Sequence, residues 1–328
     1  MSARRVRAGL RGWGGVAAMA AALACVLTAV LVLLPLTSPS GDSDDGAFGG
    51  GGVTDATRAK ADTCTPEASS LRPSASDGGP VVTAIREKNR LVIGVDQNSY
   101  RWGYRDPNKP GGSLAGFDID LAQAIADQIL PGGTVQFRAI PTNQRIPALQ
   151  SGQVDMIVRT MTINCDRLKQ VDFSTAYFKT GQQVLAPRIS EITGYNASLK
   201  GKKVCSAAGS TAETELKKES FGADISTTVP NQLDCLVRLQ LGDVDAVVTD
   251  SALAAGQAAQ DPTVEIKGGT FTTEYYGVAM KKGSDDLVRR VNQVLVDYRK
   301  QSWQKSYNDW LADDLGKSSG PPQPQYRD

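Results

Sequence analysis

Residues 149–158 (LQSGQVDMIV) come back as residues 239–248 (LQLGDVDAVV), with leucine, glutamine, glycine, valine, aspartate and valine identical at matching places. A chain that carries one such unit twice is constrained to build the same supersecondary structure twice. Each copy reads as the end of an amphipathic helix, a glycine stop and a short apolar strand. That is the returning half of a βαβ crossover, so the strands it joins are parallel. Two copies imply two α/β lobes. Polar residues follow each strand at once, Arg159-Thr160-Met161-Thr162 in the first copy and Thr249-Asp250-Ser251 in the second. In open α/β sheets ligands sit beyond the carboxyl ends of the strands, which places the binding site in a cleft between the lobes.

The charge balance of 36 Lys+Arg against 35 Asp+Glu, a formal net charge of +1, lacks the basic excess of a nucleic-acid-binding chain. The absence of histidine (0 His) removes Ser-His-Asp and Cys-His dyads, His-ligated zinc and imidazole general bases together. No catalytic residue is assigned. Beyond the N-terminal segment the chain is long enough for two lobes of roughly 100 residues each.

Arg4, Arg5, Arg7 and Arg11 precede an uncharged apolar run over residues 16–36, and Asp42, Asp44 and Asp45 follow it. The run has about the length that spans a bilayer, and the arginines keep the N-terminus cytoplasmic. An uncleaved anchor, a long cleaved signal and a lipoprotein signal ending at Cys25 are the three readings. The last has against it an apolar stretch that continues past Cys25, where a polar tether would stand. All three export the remainder of the chain.

Of the 5 cysteines, Cys64, Cys165, Cys205 and Cys235 lie in the exported part, an even number that suggests two disulfides in an oxidising compartment. Cys205 and Cys235 fall in one lobe, so Cys205–Cys235 with Cys64–Cys165 is the preferred of three connectivities, free buried thiols being the alternative. No CxxC spacing supports a metal or redox site, and no cofactor is called for.

Residues 37–80, rich in Gly, Ser, Asp, Thr and Pro, have the composition of a flexible linker. Order is expected from residue 81: a helix to 89, a strand at 91–95, a helix at 117–130 with apolar residues at helical spacing, a strand at 135–140, a helix at 145–150 and the repeat strand at 154–158. A strand at 183–186 should cross to the second lobe, which begins its own repeat with a strand at 203–206. A strand at 276–280 should return, and helices at 285–301 and 304–312 should close the first lobe. The lobes are thus drawn as 81–185 plus 276–315 and 186–275, with 316–328 a disordered tail.

Seven stretches, taken together and in order, carry a family resemblance: Gly116-Phe117-Asp118-Ile119-Asp120-Leu121, Arg145-Ile146-Pro147-Ala148-Leu149-Gln150, residues 160–167 (TMTINCDR), Val171-Asp172-Phe173-Ser174, Gly209-Ser210-Thr211, Val248-Thr249-Asp250 and Tyr276-Gly277. Over nearly all of residues 91–315 the chain resembles the polar amino-acid-binding proteins of ABC importers. It is most similar to exported glutamine- and glutamate-binding members of actinobacteria, which also carry cysteines near Cys165, Cys205 and Cys235. The resemblance implies a two-lobed, type II periplasmic-binding-protein-like α/β fold: two parallel-rich sheets flanked by helices and joined by two hinge strands that close over an α-amino acid.

The family pattern makes Arg167 the clamp for the ligand's α-carboxylate, and the chemistry agrees, since a buried carboxylate wants a fork of two donors. Asp250 and the backbone carbonyl of Thr160 offer acceptors to the ammonium, with Thr162 beside them. Ser210 and Thr211 open a helix over 212–218, with Glu213 placed as in a capping box, and the family uses this segment against ligand oxygens. Arg145 matches an arginine that meets the distal carboxylate in binders of acidic amino acids. Arg101 and Arg159 are further candidates, although Arg159 could equally point away and pair with Asp155 or solvent. Tyr100 is read as a ring over the ligand, while Trp102, Tyr104, Trp303 and Trp310 read as packing.

These residues favour L-glutamate, with aspartate and glutamine as alternatives. The function read from them is a monomeric, membrane-tethered solute-binding protein that serves the membrane subunits of an ABC permease. A sensor that passes the ligand signal to a membrane partner is the alternative. A cyclohexadienyl dehydratase-like enzyme on the same fold is a third reading. It would need an acid and a base in the cleft, where Asp96 and Asp250 are the acids to hand.

Overall fold

In the computed structural model, which describes residues 64–108 and 110–328, each copy of the repeat supplies the middle strand of a five-stranded sheet. The first sheet runs Thr134–Ala139, Arg90–Val95, Met156–Ile157, Ala279–Lys281, Val171–Phe173. Its first three strands are parallel, and Ala279–Lys281 is antiparallel to both neighbours. The second sheet runs Thr228–Val229, Val204–Ala207, Ala246–Asp250, Gln182–Pro187, Val264–Lys267, with the same three parallel strands and Gln182–Pro187 antiparallel to both of its neighbours. The protein is a two-lobed α/β structure.

Two antiparallel strands, Phe178–Thr180 and Glu274–Tyr276, join the lobes. Each leads almost at once into the antiparallel strand of the sheet it enters: Phe178–Thr180 into Gln182–Pro187, and Glu274–Tyr276 into Ala279–Lys281. The boundary drawn at 185/186 therefore needs correction. It falls inside Gln182–Pro187, which pairs wholly within the second sheet. The apolar run read there as a crossing is a buried sheet strand, and the crossing is made just before it.

The apolar run of Arg90–Val95 is explained by burial on both faces. Leu91, Ile93 and Val95 belong to the cluster under the helices Phe117–Ile129 and Asp285–Gln301, whereas Val92 joins Leu149 and Ile157 on the other side. The helix Phe117–Ile129 buries Leu121, Ala122, Ile125, Ala126 and Ile129 along one stripe. Truncating a fully buried residue such as Ile125 to alanine costs about 2–5 kcal/mol in comparable cores. Around the hinge, Trp102, Phe117, Phe178, Tyr276 and Trp303 form an aromatic knot with edge and stacked contacts. The Trp102 indole donates across the lobes to the Ala252 carbonyl (3.3 Å), and Trp303 donates to the Tyr177 carbonyl beside the hinge (2.8 Å).

Two segments expected to lack order are instead fixed on the first lobe. Residues 64–79, assigned to the linker, are tied down by the disulfide Cys64–Cys165 and by Asn292, whose amide donates to Ser70 Oγ and the Leu71 carbonyl. Residues 316–328 contain no helix or strand, yet the Arg327 amide donates to the Ser70 carbonyl (2.8 Å), and Asp328 accepts from the Arg72 amide and pairs with Arg289. Such straps bond to distant partners and leave no apolar periodicity to read. The second disulfide, Cys205–Cys235, is fully buried within the other lobe and pins the strand Val204–Ala207 to the helix Gln232–Gln240. The N-terminal apolar run lies outside the described residues. Among the described residues, no helix is long and apolar enough to cross a membrane.

Candidate ligand-binding cleft

Three arginines from the first lobe are buried where the two sheets present their carboxyl ends: Arg145, Arg159 and Arg167. Burying a guanidinium is unfavourable unless its donors are met, so their partners define the site. Arg159 is fully buried and paired, 3.0 Å from Asp96, with further bonds to Thr142 Oγ1 and Asn231 Oδ1. It therefore has its own counter-charge within the protein, and of its donors the buried Nε has no partner among the described residues. The alternative partner named for it, Asp155, pairs with Lys88 instead.

Arg145 opens the helix Arg145–Gln150 and is held by carbonyls alone. Its Nε donates to Thr142 (2.9 Å), and its Nη1 to Arg159 (3.2 Å) and Thr160 (3.4 Å). Burial, with the charges of Arg167 and Arg159, pushes its pKa well below the ordinary guanidinium value. Arg167 rides on the short helix Cys165–Leu168, whose N-cap Asn164 accepts from the Arg167 amide. Its Nη1 donates to the Thr162 carbonyl (2.7 Å) and its Nη2 crosses the cleft to the Gly209 carbonyl (3.1 Å). Burial lowers its pKa too, against the pull of Glu274, Asp250 and Tyr276.

Among the described residues, neither Arg145 nor Arg167 has a carboxylate within ion-pair distance. Both line one small cavity of about 90 Å³, together with Thr142, Asn143, Ile146, Met161 and Gly209. Gly209 has φ +74°, and a Cβ there would stand 3.0 Å from Asn143 Cα of the facing lobe. Glycine at this position lets the lobes meet.

The second lobe supplies the acid. Asp250 ends the strand Ala246–Asp250, is buried, and accepts from Gln182 Nε2 (3.1 Å). Burial and the neighbouring Glu274 raise its pKa to about 7, with Tyr276 and Arg145 acting in the opposite direction. Glu274, on the returning hinge strand, is itself buried and accepts from Thr162 Oγ1 (2.6 Å) and Thr272 Oγ1 (2.8 Å). Ser210 caps the helix Thr211–Lys218 by accepting from the Glu213 amide (3.1 Å). Glu213 in turn accepts from the Gly209 amide, and the buried Thr211 hydroxyl has no partner among the described residues.

The structure thus brings Arg145, Arg167, Thr160 and Thr162 of the first lobe to one cleft, with Asp250 and the Gly209 to Thr211 turn of the second lobe across from them. Two expected residues lie elsewhere. Arg101 pairs with Asp313 (3.1 Å) and Asp314 (3.4 Å) on the closing helices, so it ties down a loop. Tyr100 lines a separate groove with Tyr104, Leu233 and Gln260.

Sequence reasoning missed Thr142, Gln182 and Glu274, and named Asp96 only as an acid for the enzymatic reading rather than as the partner of Arg159. Only Glu274 had a signal to offer, as it stands two residues before Tyr276 and so shares its strand face. Among the described residues there is no cluster of acidic or cysteine side chains that could hold a metal ion.

Residues 91–313 match the model of the bacterial extracellular solute-binding proteins, family 3. The ABC transporter glutamine-binding protein of Bacillus subtilis (strain 168) is 33% identical over 76% of this chain and 92% of its own length. A glutamate-binding protein of Corynebacterium efficiens is 29% identical over 74% of this chain and 85% of its own. Among solved structures, a solute receptor for L-cysteine of Neisseria gonorrhoeae superposes with a TM-score of 0.67 at 28% identity, covering 72% of this chain and 95% of that one.

Proposed function

The chain belongs to the bacterial extracellular solute-binding proteins, family 3, and from that premise we propose that it is a receptor for L-glutamate. In this reading its N-terminal segment tethers it to the cell membrane, and it delivers its ligand to an ABC permease. The chain is an amino-acid-binding protein of the ABC transporter type.

One observation supports the choice of ligand: Arg145 and Arg167 are both buried, line the same cavity and lack a carboxylate partner among the described residues. Two adjacent guanidinium groups repel each other and are poorly solvated, so each gains from an anion brought to it. An amino dicarboxylate has one for each. Its α-carboxylate would take the fork of Arg167 and the Thr211 end of the helix, its distal carboxylate Arg145, and its ammonium Asp250 and the Thr160 carbonyl. Because these partners come from both lobes, the ligand binds the closed arrangement more tightly than an open one.

Calorimetric titration of the chain with disulfides intact, against L-glutamate, L-aspartate and L-glutamine, tests the reading. We expect one-to-one binding of glutamate with a Kd on the order of 1 µM and at least a roughly tenfold preference over glutamine, the value of one charge-assisted contact. Equal or tighter binding of glutamine would replace glutamate as the ligand. Absence of heat with all three would remove polar amino acids altogether.

A further inference from the structure

Thr160 has φ +38°, a left-handed conformation that a β-branched residue adopts only under constraint. The constraint is visible. Its amide donates to Asp118 Oδ2 at 2.8 Å, and the other oxygen of that fully buried carboxylate accepts from the Tyr177 hydroxyl at 2.9 Å. Asp118 itself is fixed in the first turn of the helix Phe117–Ile129, where its amide donates to the Trp102 carbonyl.

The bent backbone has a consequence for the cleft. In an extended strand successive carbonyls point to opposite sides. Here the carbonyls of Arg159 and Thr160 both accept from the same nitrogen, Arg145 Nη1. The reversal at Thr160 brings the second carbonyl round, and the two, with the Thr142 carbonyl on Nε, fix the direction of the Arg145 guanidinium.

We infer that Asp118 is a positioning residue for ligand selectivity: it holds Thr160 in its left-handed turn, and so aims Arg145 at the distal group of the ligand without touching the ligand itself. This rests on the role proposed above for Arg145. Asp118 does not line the cavity shared by Arg145 and Arg167, and both of its carboxylate oxygens accept from groups of the protein.

The experiment is a series of titrations of the full-length chain, purified in detergent, with L-glutamate and with L-glutamine, on the wild type and on R145A, D118A, D118N and D118A/T160G. D118A should weaken glutamate binding about tenfold and glutamine binding less than about threefold, so that the preference collapses as it does in R145A. D118N keeps an acceptor for the Thr160 amide and should retain most of the preference. Glycine adopts φ +38° without the steric cost that threonine meets, so T160G should restore part of the selectivity to D118A, a rescue that a purely structural role would not give. Asp118→Leu, which fills the space without accepting the amide, replaces D118A if the truncated protein does not fold.

A D118A or Asp118→Leu protein that discriminates like the wild type overturns the inference, as does a D118A/T160G protein no more selective than D118A. If R145A erases the preference and D118A leaves it, the inference fails alone. If the wild type has no preference, the reading of Arg145 fails and the inference falls with it.

Discussion

The two copies of the repeat diverge at the first residues beyond their matched strands. In the first lobe the strand Met156–Ile157 ends early, Arg159 turns inward to Asp96, and Thr160 breaks into a left-handed turn whose carbonyl meets Arg145. At the same spacing in the second lobe, Thr249 and Asp250 stay in the strand Ala246–Asp250, and the helix Ser251–Gln260 starts at the next residue. One scaffold therefore presents backbone acceptors and cations from one side and a carboxylate from the other. The difference teaches that duplication supplied the frame, while the charges of the cleft were written into the residues just past it.

The strongest way to break this division of labour is Arg167→Ala, which removes a buried cation held only by the Thr162 and Gly209 carbonyls and proposed to clamp the ligand's α-carboxylate. The Kd for glutamate should rise roughly a hundredfold, since two charge-assisted hydrogen bonds are lost. Unchanged affinity by calorimetry would take Arg167 out of the site. Arg145→Ala should weaken glutamate binding about tenfold and leave glutamine nearly unaffected, and equal losses for both would contradict its role.

On the acidic side the test is pH. With the Asp250 carboxyl raised to about 7, the ammonium of the ligand must displace a proton at lower pH and finds the carboxylate already charged above it. Affinity should therefore be level above about pH 8 and fall by up to about tenfold per unit below 7. Titrations in buffers of different ionisation enthalpy should show proton release on binding over that range. A Kd that is flat between pH 5 and pH 8 would remove Asp250 as the ammonium partner.

The smallest effect sharpens the comparison from the other direction. Thr249 occupies the place of Arg159, but its hydroxyl is buried without a partner among the described residues. Thr249→Val should leave binding unchanged and shift stability by no more than about 1 kcal/mol, in the stabilising direction. Thermal unfolding would show a clear loss if the hydroxyl had an unseen role.

Much of this arrangement was legible from the residues. The returning pattern of residues 149–158 and 239–248 led to two parallel-rich sheets, because a glycine stop and a short apolar run are local signals. The cap formed by Ser210 is equally local, its partner Glu213 lying three residues away. What could not be read depends on partners far along the chain. The pairing of Arg159 with Asp96 and of Arg101 with Asp313, and the clasp between Arg327 and Ser70, involve residues brought together only by folding. The turn at Thr160 is the hardest case, since a β-branched residue argues locally against the conformation it adopts.

The strand that returns through the hinge has a bearing on the order in which the chain can fold. Ala279–Lys281 lies between Met156–Ile157 and Val171–Phe173, so the last of these has no neighbour in its sheet until residues near the C-terminus arrive. The second sheet is built entirely from residues 182–267, a continuous stretch. As a chain emerges N-terminus first, the lobe that begins first is thus completed last, after the lobe inserted within it. Pulsed hydrogen exchange during refolding should find the amides of Val204–Ala207 protected before those of Val171–Phe173, and the reverse order would show that the first lobe assembles without its borrowed strand.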